Sequence, residues 1–189
     1  MSTYLCEETT SKLNTAVLEI VELRKKVLEE NGVDILVNDT INNLLIQDIV
    51  KKYDENFEVN MGRNGEDART KDIDDIELKC CTLEKNKKGT YPKSSYAFHA
   101  MGELKHDSYM FVARDKATAQ PFLIFDIRLK ANTEIVYNEL LRMSDEWYEV
   151  AKTKKTSYDV IRLKETYICD NIKMSMQCID GVTIFKDYE

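Results

Sequence analysis

The sequence predicts an α/β or α+β domain in which helices flank a mixed central sheet. Three observations favour this class. Two amphipathic helical patterns precede the first strand-like segments, a continuous apolar run begins at residue 121, and another helical pattern follows that run. Only two prolines and six glycines interrupt these patterns, and no internal repeat is visible.

Both helices of the N-terminal part are predicted from their apolar spacing. Residues 10–31 carry apolar side chains mainly three or four apart, and Asn31-Gly32 is a typical helix end. Residues 39–53 show the same spacing after a capping residue, Asn38 or Asp39. The first helix either packs into the core of its own chain or covers a partner subunit.

The strands are predicted from short apolar or alternating segments. The segment at 121–130 begins with a continuous apolar run, which indicates an interior strand. Residues 61–66 form a predicted turn, 84–95 a lysine-rich loop, and 133–151 a helix. The predicted strands are 57–60, 75–83, 108–114, 121–130, and shorter ones near 158–163 and 175–185.

Length and composition indicate one domain over residues 1–189 in the cytoplasm. No apolar run reaches the length of a membrane span, and no signal peptide is visible. The five cysteines show neither a disulfide pattern nor metal-ligand spacing, which is typical of reduced thiols.

The net charge of −7 argues against a generic nucleic-acid binder, because non-specific affinity for nucleic acids depends on basic residues. A specific binder with a local basic cleft stays possible. Lysines cluster at residues 85–93 and 152–155, where they either contact phosphates or belong to solvated loops.

One constellation of charged residues indicates chemistry. On the predicted strand 75–83, Ile76 and Leu78 face one side, and Glu77 and Lys79 face the other. Asp67 precedes this Glu-x-Lys triplet by ten positions and follows a glycine-flanked turn. Two carboxylates and the Leu78 carbonyl are suitable ligands for Mg²⁺, and Lys79 can assist an attacking water.

Alternatives to this site remain open on the residues alone. Asp72, Asp74 and Asp75 compete with Asp67 for the role of first acid, and the whole segment can be a solvated charged strand. A second triplet at 103–105 lacks a preceding acid at the same distance and a strand pattern, so we interpret it as surface helix or loop.

The segments Gly62-Arg-Asn-Gly-Glu-Asp-Ala68 and Glu77-Leu-Lys79 resemble the PD-(D/E)XK nuclease superfamily, in particular the PvuII-like type II restriction endonucleases. The usual Pro-Asp pair is absent, and Asn64 replaces a glutamate of the family pattern. The resemblance implies catalytic Asp67, Glu77 and Lys79, with Mg²⁺ held by Asp67, Glu77 and Leu78. It also implies DNA contacts by a set of polar residues: Asp39, Ser94, His99, Asn171 and Lys173.

The resemblance implies a homodimer that cleaves double-stranded palindromic DNA. Residues 1–37 are then a candidate dimerisation element, and residues 38–189 the catalytic and recognition region. Two alternatives stay open: another nuclease of the superfamily, such as a resolvase or repair nuclease, and a non-catalytic DNA-binding or interaction module on a decayed nuclease fold.

Overall fold

The computed structural model describes residues 19, 22–30, 40–60, 67–100, 105–154 and 160–189. The chain divides into two compact units, Met1–Leu44 and Leu45–Glu189. All strands described below belong to the second unit. The predicted extent of a single domain over the whole chain, with a dimerisation element at its start, stays a prediction.

The described part of the second unit has nine strands: β1 Glu58–Val59, β2 Ala68–Arg69, β3 Ile76–Leu83, β4 Ser95–His99, β5 Ser108–Asp115, β6 Pro121–Ile127, β7 Val160–Lys164, β8 Ser175–Ile179 and β9 Val182–Lys186. Seven of them form a mixed sheet with the order β1-β2-β3-β5-β6-β9-β8, and β4 and β7 form a separate two-stranded ribbon. In the large sheet, β3 pairs with β5 and β6 pairs with β9 in parallel, and the other neighbours are antiparallel.

The helices are α1, of which residues 22–30 are described, α2 Thr40–Val50, α3 Lys130–Lys154 and α4 Glu165–Asn171. These helices and strands confirm the predicted α/β class. In the part of the chain that the structure describes, no helix is long and apolar enough to cross a membrane.

Two hydrophobic cores contain the side chains of the large sheet, because successive residues of a strand point to opposite faces. One core combines Ile46, Ile49 and Val50 of α2 with Ile76 and other strand residues. The other core is formed by aromatic and aliphatic residues of β4, β5 and β6 together with α3, β7 and α4. Two of the catalytic-site candidates, Glu77 and Lys79, lie on β3, which contributes side chains toward both faces, and Asp67 lies immediately before β2.

Most of the predicted elements are confirmed with shifted ends. The strand predicted at 121–130 ends at Ile127, since the N–H groups of Arg128 and Leu129 donate to Asp187 and α3 starts at Lys130. This strand lies between β5 and β9, as its apolar run predicted. The segment 175–185 is a hairpin rather than one strand, because Asp180 and Gly181 both have positive φ, as in a two-residue type I′ turn.

Other expectations differ from the structure or lie outside the described residues. In α2, Ile46 is buried, whereas Leu44, which belongs to the apolar spacing that predicted this helix, is exposed. Strand β4 and helix α4 were not predicted, and the loop before β4 ends at Ser94. The predicted helix at 10–31 is helical over residues 22–30, and the predicted turn at 61–66 lies outside the described residues.

Candidate active site

Strand β3 divides its residues between the two faces as the alternating pattern predicted. Ile76 and Leu78 are buried, and Cys80 packs against the same core beside α2. Glu77 and Lys79 lie on the opposite face, where their side chains are 16% and 28% exposed. That face is not open solvent, since Phe98 of the second core lies there too.

Asp67 is fixed immediately before β2 by backbone pairing. Its carbonyl accepts a hydrogen bond of 2.8 Å from the N–H of Asn60, and the next residue, Ala68, is buried and pairs with Ile76. The antiparallel pairing of β2 with β3 brings Asp67 to the start of the triplet. There the Asp67 Oδ2 accepts a 2.9 Å hydrogen bond from the N–H of Leu78.

The electrostatic environment of Asp67 disfavours its charge. Burial raises the pKa of the Asp67 carboxyl above its ordinary value, and the adjacent Glu77 carboxylate raises it further. The Leu78 N–H and the Lys79 ammonium act in the opposite direction and offset only part of this effect. Two acids therefore lie next to each other in a partly buried place, an arrangement typical of functional sites.

Lys79 is held between an acid and an aromatic ring. Its Nζ forms an ion pair with Glu77 Oε1 and lies 5.3 Å from the centre of the Phe98 ring. Both contacts limit the freedom of a long side chain that would otherwise sample many rotamers. The Lys79 ammonium is thereby kept beside the two carboxylates.

The donor set fits a small, hard divalent cation. Asp67 and Glu77 offer carboxylate oxygens, which Mg²⁺ prefers in combination with waters and substrate oxygens. The mutual repulsion that raises the pKa of Asp67 would be relieved by such an ion. Among the described residues, no group of three or more His, Cys, Asp or Glu side chains is placed so that it could hold a metal ion.

The structure separates the competing acids. Asp67 is the acid beside Glu77, whereas Asp72 and Asp74 are exposed on the turn between β2 and β3. Asp75 instead contacts His106, with distances of 3.0 and 3.1 Å from Nδ1 to its two carboxylate oxygens. The opposite ring nitrogen of His106 is 3.4 Å from Glu77 Oε2.

Sequence reasoning missed this pair. Asp75 directly precedes β3 and His106 lies just before β5, and the parallel register aligns Ile76 with Ser108. The Ser108 N–H also donates to the Asp75 carbonyl over 3.1 Å. The only sequence signal was an acid and a histidine near the starts of two strands, which is informative only once parallel pairing is known.

The residues expected to contact DNA fall in different places. His99 is exposed at the end of β4. It follows Phe98, whose ring contacts Lys79, and as the next residue of the strand it points its side chain to the opposite face. Ser94 is buried, with 2% exposure, and both its N–H and its hydroxyl donate to the Glu165 carboxylate. In this conformation Ser94 links β4 to α4 and offers no polar group to a DNA surface.

The remaining expected contacts are not assembled around the site. Asn171 is exposed at the end of α4, where its side-chain amide donates to the Tyr167 carbonyl, and Lys173 is exposed just beyond it. Helix α4 follows Lys164, which pairs with Ser95, whereas His99 lies at the opposite end of the β4–β7 ribbon. Asp39 lies outside the described residues.

The lysine-rich loop lies beyond the far end of β3. Leu83 follows Glu77 by six positions, which corresponds to about 20 Å at about 3.3 Å per strand residue. Within the loop, Lys85 lies over the ring of Tyr91, and Lys93 forms an ion pair with Glu165. Lys87 and Lys88 are exposed at the tip of the loop.

Of the five cysteines, the structure describes four, and Cys80, Cys81, Cys169 and Cys178 form no disulfide among the described residues. Cys80 and Cys81 are consecutive residues of β3 that pack against opposite cores. The interpretation of the cysteines as reduced thiols stays a prediction.

Comparison with known proteins adds no family to these observations. No family model matches this sequence, and no curated protein matches it either.

Proposed function

We propose that the protein is a type II restriction endonuclease, a cytoplasmic enzyme that hydrolyses phosphodiester bonds of double-stranded DNA at specific palindromic sites with the help of Mg²⁺. The observation that carries the proposal is the cluster of Asp67, Glu77 and Lys79: two adjacent acids and an ammonium group on one face of a mixed sheet. The spacing of these residues in the sequence is the basis of the family resemblance.

In this proposal Asp67, Glu77 and the Leu78 carbonyl would hold the cation. The bound ion would act as a Lewis acid on the phosphate and lower the pKa of a bound water. Asp67 is anchored for this task by the Leu78 N–H, and Glu77 by Lys79.

Lys79 is proposed to orient the attacking water and to stabilise the negative charge that develops on the phosphate. The Phe98 ring beneath it restricts the ammonium to the neighbourhood of Glu77. His99 is proposed to contact base edges, because it is exposed and adjoins Phe98 on the same short strand. Asn171 and Lys173 would contact DNA only at a distance from this site.

A homodimer is part of the proposal, because a palindromic site and a two-fold symmetric protein have matching symmetry. Helix α1 is the candidate contact surface. In its described part, Leu23 and Leu28 are 53% and 44% exposed, more than an apolar side chain in a core would be.

The second candidate is a structure-specific nuclease of the same superfamily, such as a resolvase or repair nuclease. It uses the same catalytic cluster, and the net charge of −7 favours a protein with restricted rather than general DNA affinity. A non-catalytic module is disfavoured because Asp67, Glu77 and Lys79 are all present and adjacent.

The test is incubation of the purified protein with supercoiled plasmid, linear duplex and four-way junction DNA, in Mg²⁺ and in EDTA. Discrete fragments from linear duplex in Mg²⁺ alone, with a common sequence at their ends, support the restriction enzyme. Cleavage confined to junctions supports the second candidate. Intact DNA of every kind contradicts both nuclease proposals.

A further inference from the structure

Among the described strands, β8 ends the large sheet on one side, and its edge lacks the usual protection against pairing. It runs over Ser175–Ile179 without a charged residue, a proline or a bulge. The opposite edge is β1, which has only two residues and carries Glu58 in an ion pair with Arg69. Proteins normally protect exposed edges by short strands, charges, prolines or bulges, because an unprotected edge pairs with another strand.

The hairpin determines which main-chain groups of β8 are available at this edge. Ile179 and Val182 flank the two-residue turn, so they exchange their N–H and C=O groups. Hydrogen bonding alternates along an antiparallel strand, so Gln177 also bonds toward β9. Met176 and Cys178 consequently direct their N–H and C=O groups away from β9, toward the outer edge.

The side chains at this edge are open as well. Met176 is 69% exposed, more than any other large apolar side chain in the described part of the chain, and Cys178 and Ser175 are also exposed. Burial of such apolar surface is favourable in any contact that covers it. The outer edge of β8 therefore combines unpaired main-chain groups with an apolar side chain.

An antiparallel pairing of β8 with a second copy of itself uses these groups. When the two-fold axis passes at Gln177, Met176 of each copy lies opposite Cys178 of the other. Both are residues whose main-chain groups point outward, so each of the two pairs exchanges both hydrogen bonds. Such a contact is self-complementary and closes after two copies.

The charges around β8 favour this antiparallel arrangement. Lys173 precedes the strand and Asp180 follows it, and both are exposed. In the pairing centred on Gln177, Lys173 of one copy lies opposite Gly181 of the other, next to Asp180, whereas a parallel pairing would bring like charges together. Asp180 forms an ion pair with Lys52 of its own chain, at a surface position where such pairs contribute little.

The Gln177 side chain gives an independent indication. Its amide nitrogen is buried and has no hydrogen-bond partner among the described residues, which costs folding free energy. In the proposed pairing, Gln177 lies opposite Gln177 of the second copy, with Cα atoms about 4.5 Å apart. After a side-chain rotation, each amide nitrogen can donate to the amide oxygen of the other copy.

We propose that the β8 edge is a contact between two copies of this chain, which pair antiparallel around Gln177 and continue the large sheet across a two-fold axis. β8 lies four strands from β3, which corresponds to about 19 Å at about 4.8 Å per strand, so the contact is remote from the candidate active site. It is separate from the contact proposed for α1 and does not rest on the proposed function.

The first experiment measures the mass of the full chain without DNA, by light scattering at increasing protein concentration. Cys178→Pro removes an outward N–H and leaves the bonds to β9, and proline is tolerated at such edge positions. Met176→Lys places a charge on the same edge. Each variant is expected to halve the mass of the associated species and to raise its dissociation constant at least about tenfold.

The control for the lost apolar surface is Val150→Lys, at a 45% exposed position on α3, which should leave the mass unchanged. Thermal unfolding of each variant checks that the fold is retained. A wild-type mass equal to that of Cys178→Pro and Met176→Lys at every concentration overturns the contact. An equal decrease in Val150→Lys also overturns it, because association would then depend on apolar surface in general.

The second experiment tests the register by oxidation with copper phenanthroline in a Cys178→Ser background. Gln177→Cys places two thiols across the axis at a distance suited to a disulfide, and covalent dimers linked at residue 177 are expected. Ser175→Cys is the matched control, since residue 175 lies opposite Ile179 of the other copy and is too far from its own counterpart. Equal linkage of both variants, or none through residue 177, overturns the pairing centred on Gln177.

Discussion

The Asp67 carboxylate accepts a hydrogen bond of 2.9 Å from the backbone N–H of Leu78, the middle residue of the Glu77–Lys79 triplet. This single contact fixes the first acid to the strand that carries the other two catalytic candidates. It uses a backbone donor, so it persists when either neighbouring side chain is changed. The same arrangement places two carboxylates close together, and the resulting loss of folding stability can be measured.

Asp67→Asn is expected to stabilise the protein while abolishing metal-dependent activity. Asparagine still accepts the Leu78 N–H but carries no charge, so the effects of burial and of Glu77 that raise the pKa of Asp67 disappear. A gain of about 1 kcal/mol corresponds to a rise of about 2–4 °C in Tm for a chain of this size. Calorimetry without divalent ions at pH 7 measures it.

The sign of the pH dependence follows from the raised pKa. The charge on Asp67 opposes folding above its raised folded-state pKa, and this effect vanishes as the pH falls through that value toward the ordinary one. The advantage of Asp67→Asn should therefore shrink in acid. An advantage that grows as the pH falls would contradict the assigned environment of Asp67.

Glu165→Ala is expected to destabilise the protein by about 2–3 kcal/mol, because it leaves buried donors without an acceptor. The Glu165 carboxylate accepts from Lys93 Nζ at 2.6 Å, the Ser94 N–H at 2.8 Å and the Ser94 hydroxyl at 2.7 Å. Urea unfolding measures the loss. Glu84→Ala is the control, since its ion pair with Lys116 is exposed and should contribute less than about 1 kcal/mol.

The effect of Glu165 on stability should change with pH in the opposite direction to the effect of Asp67, because the Glu165 charge stabilises the fold and the Asp67 charge destabilises it. Burial favours the neutral acid, but the hydrogen bonds from Lys93 and Ser94 outweigh it and lower the pKa below its ordinary value of 4.5. The contribution is fully present above pH 4.5 and is lost as the pH falls through the folded-state pKa. Equal destabilisation by Glu165→Ala at pH 3 and pH 7 would contradict this account.

Asp126→Asn is expected to destabilise the protein by about 3 kcal/mol or more, because Arg128 would lose its main buried partner. Asp126 is fully buried on β6, with Arg128 nitrogens at 2.9 Å from each oxygen and the hydroxyls of Tyr53 and Tyr188 at 3.1 and 2.6 Å from Oδ2. Chemical unfolding gives the magnitude. Asp180→Asn, at an exposed turn position, should change stability little.

His99→Ala is expected to weaken binding to the cognate duplex in Ca²⁺ about tenfold, within the 1–3 kcal/mol typical of a good base contact. Binding to a scrambled duplex should change little, because His99 is proposed to read bases rather than phosphates. Titration of both duplexes against wild type and variant provides the comparison. An equal loss on both duplexes would assign His99 to backbone contacts instead.

The face of β3 on which the site residues lie could be predicted from the sequence, since period-two alternation alone assigns Glu77 and Lys79 to the same face. The same rule cannot tell that the face is covered by Phe98, which comes from β4 beyond the lysine-rich loop. Contacts between elements that are distant in sequence depend on sheet order, and the order places β5 rather than β4 beside β3.

The contact of Asp75 with His106 shows the same limit. Both residues precede their strands, and the parallel register of β3 with β5 brings them together 31 positions apart. Ser94 is the converse case: the family pattern suggested a DNA contact, but the Glu165 carboxylate that binds it belongs to α4, which the sequence did not predict.

The central claim is that Asp67, Glu77 and Lys79 form a DNA-cleaving site. The most direct test measures single-turnover cleavage of a duplex by Lys79→Ala in Mg²⁺ and binding of the same duplex in Ca²⁺. The control variant is Lys105→Ala, which changes the lysine of the second triplet. The account predicts that Lys79→Ala binds DNA within about threefold of the wild type and cleaves it at least about 100-fold more slowly, while Lys105→Ala keeps most of the activity. Wild-type cleavage by Lys79→Ala would contradict it.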